Sequence, residues 1–239
     1  MRKVVAPVFM PIVEVSTGRV SHYEALARVR EGNGGHVKLI EVGEEYGFVD
    51  LIDMAMMEHG FMLLREQHDL EIAVNVSVVT IEESCADVLA LIFKNMDLVS
   101  RLVFEITETK QVSDLPRVMR FVNAVRVLDG RVAVDDFGEG HFTMSLVQQI
   151  RPDFLKLSGR LVADIGRTAS EVTRVCDQVR RFGGEIIAEH VDSKEKFDSL
   201  GALGVRYAQG YFVGMPTPRL PAKVINQGCM TAQSSYQVM

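Results

Sequence analysis

Short apolar segments alternate with helical patterns along most of the chain, and this alternation limits the folds that it can adopt. The apolar segments predict strands at residues 72–74, 102–104, 132–134, 154–155, 186–188 and 205–208. Apolar residues at helical spacing predict helices at residues 49–67, 81–94, 115–128, 144–149, 169–182 and 194–203. Strand–helix alternation of this kind is typical of βα units and of a mostly parallel sheet.

Two longer extended segments precede these units. Residues 8–15 and 20–29 flank the turn-like sequence Ser16-Thr17-Gly18-Arg19, which predicts a hairpin. The hairpin and the six βα units give nearly enough strands to close a barrel, and the 239 residues suit one, because an α/β barrel needs roughly 250. A doubly wound open sheet is the alternative. The sequence has neither the GxGxxG pattern of a dinucleotide-binding fold nor a P-loop.

Composition and charge exclude several classes of protein. The net charge of −6 argues against a dedicated binder of nucleic acid polymers, which usually carries a basic patch. No apolar run of about 18 residues is free of charges, so we expect no membrane span, and no apolar stretch of signal-peptide length follows the first residues. We therefore expect a cytoplasmic protein. The three cysteines are far apart in the sequence and predict neither a disulfide framework nor a metal-binding pair.

The last part of the chain is polar and patternless. We expect one barrel domain at residues 1–220 and a polar tail at residues 221–239, frayed or disordered.

Polar residues follow the predicted strands at the point where each strand ends. They are Glu24, Asn75, Glu105, Asp135, Asp136, Lys156, Glu189 and Gln209. In a barrel the carboxyl ends of the strands meet on one face, so these side chains are expected around one small volume. A single acid after a strand can also be a helix cap, but caps favour Asp, Asn and Ser over Glu. So many neighbouring carboxylates need protons or cations, and oxygen-rich ligand sets suit Mg²⁺ or Mn²⁺.

These residues lie in motifs that resemble those of the EAL-domain cyclic di-GMP phosphodiesterases of bacteria. The resemblance runs from about Phe9 to Pro216, with its motifs in the family's order. The matching segments are residues 23–28 (YEALAR), 74–77 (VNVS), 104–108 (FEITE), 135–140 (DDFGEG), 155–157 (LKL), 188–192 (AEHVD) and 209–211 (QGY).

The resemblance implies a fold, a reaction and a metal site. The fold is a modified (β/α)8 TIM-like barrel in which one strand is antiparallel to the others. The reaction is hydrolysis of cyclic di-GMP to linear pGpG by a water activated between two Mg²⁺ or Mn²⁺ ions. The resemblance implies Glu24, Asn75, Glu105 and Asp135 as ligands of the first ion and Asp135, Asp136 and Glu189 as ligands of the second.

The resemblance also implies roles for other side chains. Lys156 and Gln209 are expected beside the attacking water and, with Asp136 and Glu189, are the predicted catalytic residues. Arg28 and Leu26 are expected to contact the substrate, Arg28 at a phosphate. Glu108 is expected to support the loop after Asp136. Homodimers are common in the family, so a homodimer is a further expectation.

The chain departs from the family's motifs at several positions. Ser158 stands where the family has an aspartate, and His190 stands where it has a glycine. Asp192 replaces a glutamate, and Glu139, His141 and Phe142 alter the loop after the paired aspartates. Two alternatives therefore stay open beside the phosphodiesterase: a catalytically weak or inactive module that binds cyclic di-GMP or a protein, and a phosphodiesterase for another substrate.

Overall fold

The computed structural model describes residues 1, 3–29, 39–107 and 110–220. The expected tail at 221–239 and Glu108 therefore lie outside the described residues. Among the helices in the described part of the chain, none combines the length and the apolar character that crossing a membrane requires.

The strands follow the order that the sequence predicts. They are β1 (Val5–Glu14), β2 (Val20–Val29), β3 (Ile72–Ser77), β4 (Leu102–Thr107), β5 (Arg131–Phe137), β6 (Phe154–Leu157), β7 (Glu185–Ala188) and β8 (Tyr207–Ala208). The α-helices are α1 (Leu39–Glu45), α2 (Val49–Glu66), α3 (Val78–Glu83), α4 (Cys85–Lys94), α5 (Leu115–Val127), α6 (Met144–Ile150), α7 (Gly159–Ala163), α8 (Ile165–Arg180) and α9 (Lys194–Leu200). Short 3₁₀ helices cover Met96–Arg101 and Gly201–Leu203.

The strands close into a barrel in sequence order, from β1 to β8. β1 is antiparallel to both of its neighbours, β2 and β8, and each of the other neighbouring pairs is parallel. The antiparallel start follows from the hairpin, because the five-residue connection between β1 and β2 is too short for a crossover and returns the chain beside the strand that it leaves. The modified barrel is confirmed, and the open sheet is excluded by the β1–β8 pairing.

The helix prediction at 81–94 was wrong in one respect, because this segment belongs to two helices. α3 begins directly after β3, where the Ser77 hydroxyl accepts a hydrogen bond from the Thr80 N–H. The chain then breaks at Ser84, whose hydroxyl donates to Asp50 of α2 at 3.0 Å. The break is fixed by a contact with a distant helix, which the spacing of apolar residues does not report.

The barrel interior contains an apolar layer toward the amino ends of the parallel strands. We call apolar layer the cluster of Ile12, Ala73, Val103, Ala133, Phe154 and Ile187, with Tyr207 packed against it. A larger apolar cluster fills the space between the sheet and the helices. Burial on both sides of the strands explains why the sequence shows near-continuous apolar runs there.

A candidate metal centre at the carboxyl end of the barrel

A ring of polar side chains lies directly above the apolar layer. Successive side chains of a strand alternate between its two faces, so the residue two places after an interior residue is interior again. The step leads from Ala73 to Asn75, from Val103 to Glu105, from Ala133 to Asp135, from Phe154 to Lys156, from Ile187 to Glu189 and from Tyr207 to Gln209. These second members, with Glu24 of β2, form what we call the polar ring.

Glu24 is held by the amides of two other strands. The Asn75 Nδ2 donates to one Glu24 oxygen at 2.9 Å, and the Gln209 Nε2 donates to the other at 2.6 Å. Burial alone would raise the pKa of Glu24, but the Lys156 charge and these two hydrogen bonds hold it below the usual value. Glu24 is therefore held in place and ionised within the ring.

Lys156 is the buried cation around which the carboxylates gather. Its side chain is 1% exposed, and its Nζ lies 2.8 Å from Glu105, 2.9 Å from Asp135, 3.0 Å from Glu189 and 3.4 Å from Glu24. Burial alone would lower the pKa of Lys156, but the carboxylates, Asp135 foremost, raise it well above its usual value. Lys156 therefore stays charged and neutralises part of the ring.

One ammonium group does not balance four buried carboxylates. Burial raises the pKa of Glu105 and Glu189 well above the usual value, and raises that of Asp135, with the neighbouring acids adding to the effect. The described residues therefore supply too little positive charge to neutralise the carboxylates at these positions. This electrostatic state favours the binding of cations or protons.

The acids form two groups that share Asp135. Oxygens of Glu24, Glu105 and Asp135 lie within 4.8 Å of one another, and so do oxygens of Asp135, Asp136 and Glu189. Neighbouring strand residues normally face opposite sides, but the backbone at Asp136 is left-handed, with φ of 51°, and the β5–β6 register shifts after Val134. This irregularity lets adjacent aspartates reach one point. The predicted sets of metal ligands are thus brought together, while their roles stay predictions.

Several buried oxygens in the ring fit the approach of a cation. Asn75 Oδ1, Glu105 Oε1 and Glu189 Oε2 are buried and receive no hydrogen bond within the described part of the chain. Buried acceptors without donors are rare in proteins. Carboxylate and amide oxygens are the ligands that Mg²⁺ and Mn²⁺ prefer. The residues present therefore fit a divalent metal.

A cavity of about 620 Å³ opens above the ring. Arg28 and Leu26, the predicted substrate contacts, both line it, and the Arg28 guanidinium donates to its neighbour's carbonyl, Ala27 O, at 2.8 Å. Part of the lining is apolar, with Met10, Ile40, Ile52 and Met56. A pocket with a few convergent polar groups and an apolar wall is typical of a small-molecule site.

Asp53 is a cavity residue that the sequence analysis missed. It lies on the buried face of α2 and accepts hydrogen bonds from the Thr80 hydroxyl at 2.6 Å and the Ser77 N–H at 2.8 Å. Burial raises the pKa of Asp53 to about 6. The available signal was a carboxylate beside Ile52 and Met56, at a core-facing position of an apolar helix.

The departures from the family's motifs lie in different surroundings. Ser158 is fully buried, and its Oγ has no hydrogen-bond partner among the described residues. His190 and Asp192 line the cavity and are exposed. Glu139 accepts a hydrogen bond from the Arg160 N–H at 2.9 Å, which ties the loop after Asp136 to α7.

The fold and the site together define a (β/α)-type barrel with a carboxylate centre at the carboxyl ends of its strands. Residues 2–216 match the EAL domain family, so the chain belongs to that family.

Curated relatives include two bacterial proteins. The chain is 25% identical over 209 residues to the cyclic di-GMP phosphodiesterase PdeF of Escherichia coli (strain K12), a match that covers 82% of this chain and 28% of the relative. It is 30% identical over 207 residues to the cyclic di-GMP phosphodiesterase PdeB of Shewanella oneidensis, again over 82% of this chain but 24% of the relative. The chain thus spans about a quarter of the length of these proteins.

Solved structures share the fold. The FimX EAL domain of Xanthomonas citri, in complex with c-diGMP, has a TM-score of 0.80 at 21% identity, over 93% of this chain and 91% of that one. The manganese/cy-diGMP complex of Klebsiella pneumoniae BlrP1 has a TM-score of 0.76 at 24% identity, over 90% of this chain and 56% of that one.

Proposed function

We propose that this domain is a phosphodiesterase that hydrolyses cyclic di-GMP to linear pGpG with the help of two divalent cations. The observation that carries the proposal is the pair of carboxylate groups sharing Asp135 at the base of the cavity. The names of the relatives PdeF and PdeB support the substrate and the reaction. The manganese/cy-diGMP complex of BlrP1, which shares the fold, supports a metal and the same ligand.

The residues that hold the cations follow from the two groups. Glu24, Asn75, Glu105 and Asp135 are proposed for the first ion, and Asp135, Asp136 and Glu189 for the second. We propose Mg²⁺ or Mn²⁺ as the ions. When bound, two such ions supply an activated water and stabilise negative charge on the phosphate oxygens.

The chain's own side chains set the geometry of the reaction. Asn75 and Gln209 orient Glu24 through their amide N–H groups. The Lys156 ammonium donates to Glu105 and stands within 3.4 Å of the other three carboxylates of its cluster, so it aligns them and offers positive charge to the reacting phosphate. Arg28 and Leu26 are proposed to hold the rest of the nucleotide at the cavity wall.

A hydrolysis assay tests the proposal. The purified protein is incubated with cyclic di-GMP and Mg²⁺ or Mn²⁺, and pGpG is followed by chromatography. We expect turnover with either ion and its loss in Glu24→Ala, which removes the acceptor for Asn75 and Gln209. Glu83→Ala, an exposed position on α3, is the matched control and should keep wild-type activity. Absence of pGpG with both ions would overturn the proposal.

A second candidate is a module that binds the nucleotide without hydrolysing it. It is favoured by the buried Ser158 hydroxyl, which has no hydrogen-bond partner among the described residues, and by His190 at the cavity wall, both departures from the family's motifs. Binding of cyclic di-GMP with no pGpG, under conditions where metal binding is saturated, would select this candidate.

The setting of the domain belongs to the same proposal. We propose a bacterial cytoplasmic location and a homodimer, with the barrel of residues 1–220 as the functional unit. The two described cysteines, Cys85 and Cys176, are buried and free, which is compatible with a reducing compartment.

A further inference from the structure

His190 is placed in the cavity by an unusual backbone. It follows Glu189 directly, and its φ is 52°, in the left-handed region that favours glycine. A side chain in this region costs free energy, and such strain clusters at sites that bind ligands. The side chain is exposed and lines the cavity.

Backbone contacts hold the segment that carries His190 in place. The Val191 N–H donates to Gln209 O, and the Phe212 N–H donates to Val191 O, both at 3.0 Å. Gly210 has φ of 152° and lies so close to Val191 that a Cβ there would come within 2.3 Å of its backbone nitrogen. The loop therefore cannot move His190 away without breaking these contacts.

The imidazole of His190 rests on a glycine. A Cβ added to Gly159 would lie 3.1 Å from the His190 Nδ1 and 3.2 Å from its Cγ, so the ring occupies the space that a larger residue would fill. Within the described part of the chain no hydrogen bond anchors the ring. It is therefore positioned by packing on one side and open to the cavity elsewhere.

The charged side chains that line the cavity, among the described residues, are mostly acids. The acids lining it are Glu24, Asp53, Asp135, Asp136, Glu189 and Asp192, and the basic side chains lining it, among the described residues, are Arg28 and His190. A planar ring stacks favourably on a purine, whereas a carboxylate does not. Tyr211, which is 67% exposed and lines the same cavity, adds a second ring one residue beyond Gly210.

We propose that His190 is a specificity-determining residue whose imidazole stacks on a purine base of the nucleotide held in the cavity. The inference rests on the proposed function, since it requires a nucleotide there. It assigns no metal to His190, which belongs to neither of the two carboxylate groups.

Calorimetric titration with cyclic di-GMP in the presence of Ca²⁺ tests the inference, with Mn²⁺ titrated separately in the absence of nucleotide. We expect His190→Gly and His190→Asn to weaken nucleotide binding roughly tenfold, because a base–aromatic contact is lost. Asparagine tolerates the left-handed backbone and keeps a hydrogen-bonding group, so it separates stacking from hydrogen bonding. Mn²⁺ affinity should not change in either variant.

Asp129→Gly is the matched control for the backbone. Asp129 is exposed, has φ of 56°, and lies after α5, away from the cavity. It should keep wild-type nucleotide affinity. Wild-type affinity in either His190 variant would overturn the inference, and so would a loss of Mn²⁺ affinity. If the wild-type protein binds no cyclic di-GMP, the proposed function fails and the inference falls with it. If His190→Gly does not fold, as judged by thermal melting, His190→Asn decides.

Discussion

The apolar layer and the polar ring come from the same strands, two residues apart, yet their chemistry is opposite. Along β3 the interior residue after Ala73 is Asn75, and along β4 the interior residue after Val103 is Glu105. Neighbouring interior positions of one strand therefore change from apolar to polar. Burial of the apolar layer stabilises the fold, and its side chains need no hydrogen-bonding partners. The polar ring gathers four carboxylates around Lys156, and several of its buried oxygens receive no hydrogen bond from the residues that the structure describes.

The apolar layer contributes to stability, whereas the polar ring provides the groups for binding. Raised pKa values at Glu105 and Glu189 mean that burial disfavours their charged forms. The polar ring is therefore a strained element that the apolar layer and the helices hold in place. Sites of this kind trade stability for function.

The largest effect is expected from Lys156→Met. Without the ammonium, four buried carboxylates lose the cation that lies within 3.4 Å of each of them. Removing one partner of a buried ion cluster costs about 3–5 kcal/mol. We expect this loss in the free energy of unfolding at neutral pH with EDTA, measured by guanidinium denaturation, and a smaller loss with Mn²⁺.

Lys194→Met is the control for Lys156. The Lys194 side chain is 62% exposed and pairs with Asp198 on α9, where a salt bridge contributes little. Equal stability of Lys156→Met and the wild-type protein in EDTA would mean that the ring does not depend on its lysine.

The sequence predicted the strands and the ends of the strands because both depend on local patterns. Short apolar runs define the strands, and the next interior position after each run carries the polar residue, as at Glu105 and Glu189. Convergence on one face then follows from barrel geometry. The antiparallel β1 was implied by the family resemblance, and the structure confirms it.

Other features depend on contacts between distant segments, which no local pattern reports. Asp53 enters the cavity because α2 packs where Ser77 and Thr80 can donate to it. The start of α8 at Ile165, before the predicted residue 169, depends on a side-chain cap by Asp164. The roles of the metal ligands stay predictions, since geometry brings them together without showing an ion.

Asp53, a buried acid outside the polar ring, should make the stability of the protein depend on pH. Its pKa is raised by burial from 3.8 to about 6, so its contribution to stability is complete at low pH and is lost as the pH rises through about 6. The shift corresponds to roughly 3 kcal/mol. We expect Asp53→Asn to gain stability over the wild-type protein by that amount between pH 4 and pH 7, in guanidinium denaturation with EDTA. A difference that stays constant with pH would show that Asp53 is not the titrating group.

Glu105→Gln should separate stability from binding inside the polar ring. The carboxylate is fully buried, and burial and the Glu24 charge raise its pKa well above the usual value, so its ionised form destabilises the metal-free fold at neutral pH. The amide keeps an acceptor for the Lys156 ammonium. We expect a gain of about 1 kcal/mol in EDTA, together with Mn²⁺ binding weakened more than about tenfold. If Glu105→Gln is less stable than the wild-type protein and binds Mn²⁺ equally well, the Glu105 carboxylate serves stability and not metal binding, which would contradict the prediction.

The smallest effect is expected at His22, a polar residue at the level of the apolar layer. Its ring packs against Phe154 with centroids 5.4 Å apart, and its buried Nε2 has no hydrogen-bond partner in the described part of the chain. Burial and the Arg131 and Lys156 charges lower the pKa of His22 to about 3, so it is neutral at pH 7. His22→Phe keeps the ring contact and loses the 3.1 Å contact with the Ser21 hydroxyl, so stability at pH 7 should change by less than about 1 kcal/mol.

The stability of His22→Phe should also respond differently to acid. A lowered histidine pKa gives stability that is present above pH 6.5 and is lost as the pH falls, so the variant should become more stable relative to the wild-type protein from pH 7 to pH 5 in urea denaturation. An equal acid response in both proteins would mean that His22 is not buried as a neutral ring, and a loss of Mn²⁺ affinity in His22→Phe would mean that the apolar layer also tunes the ring above it.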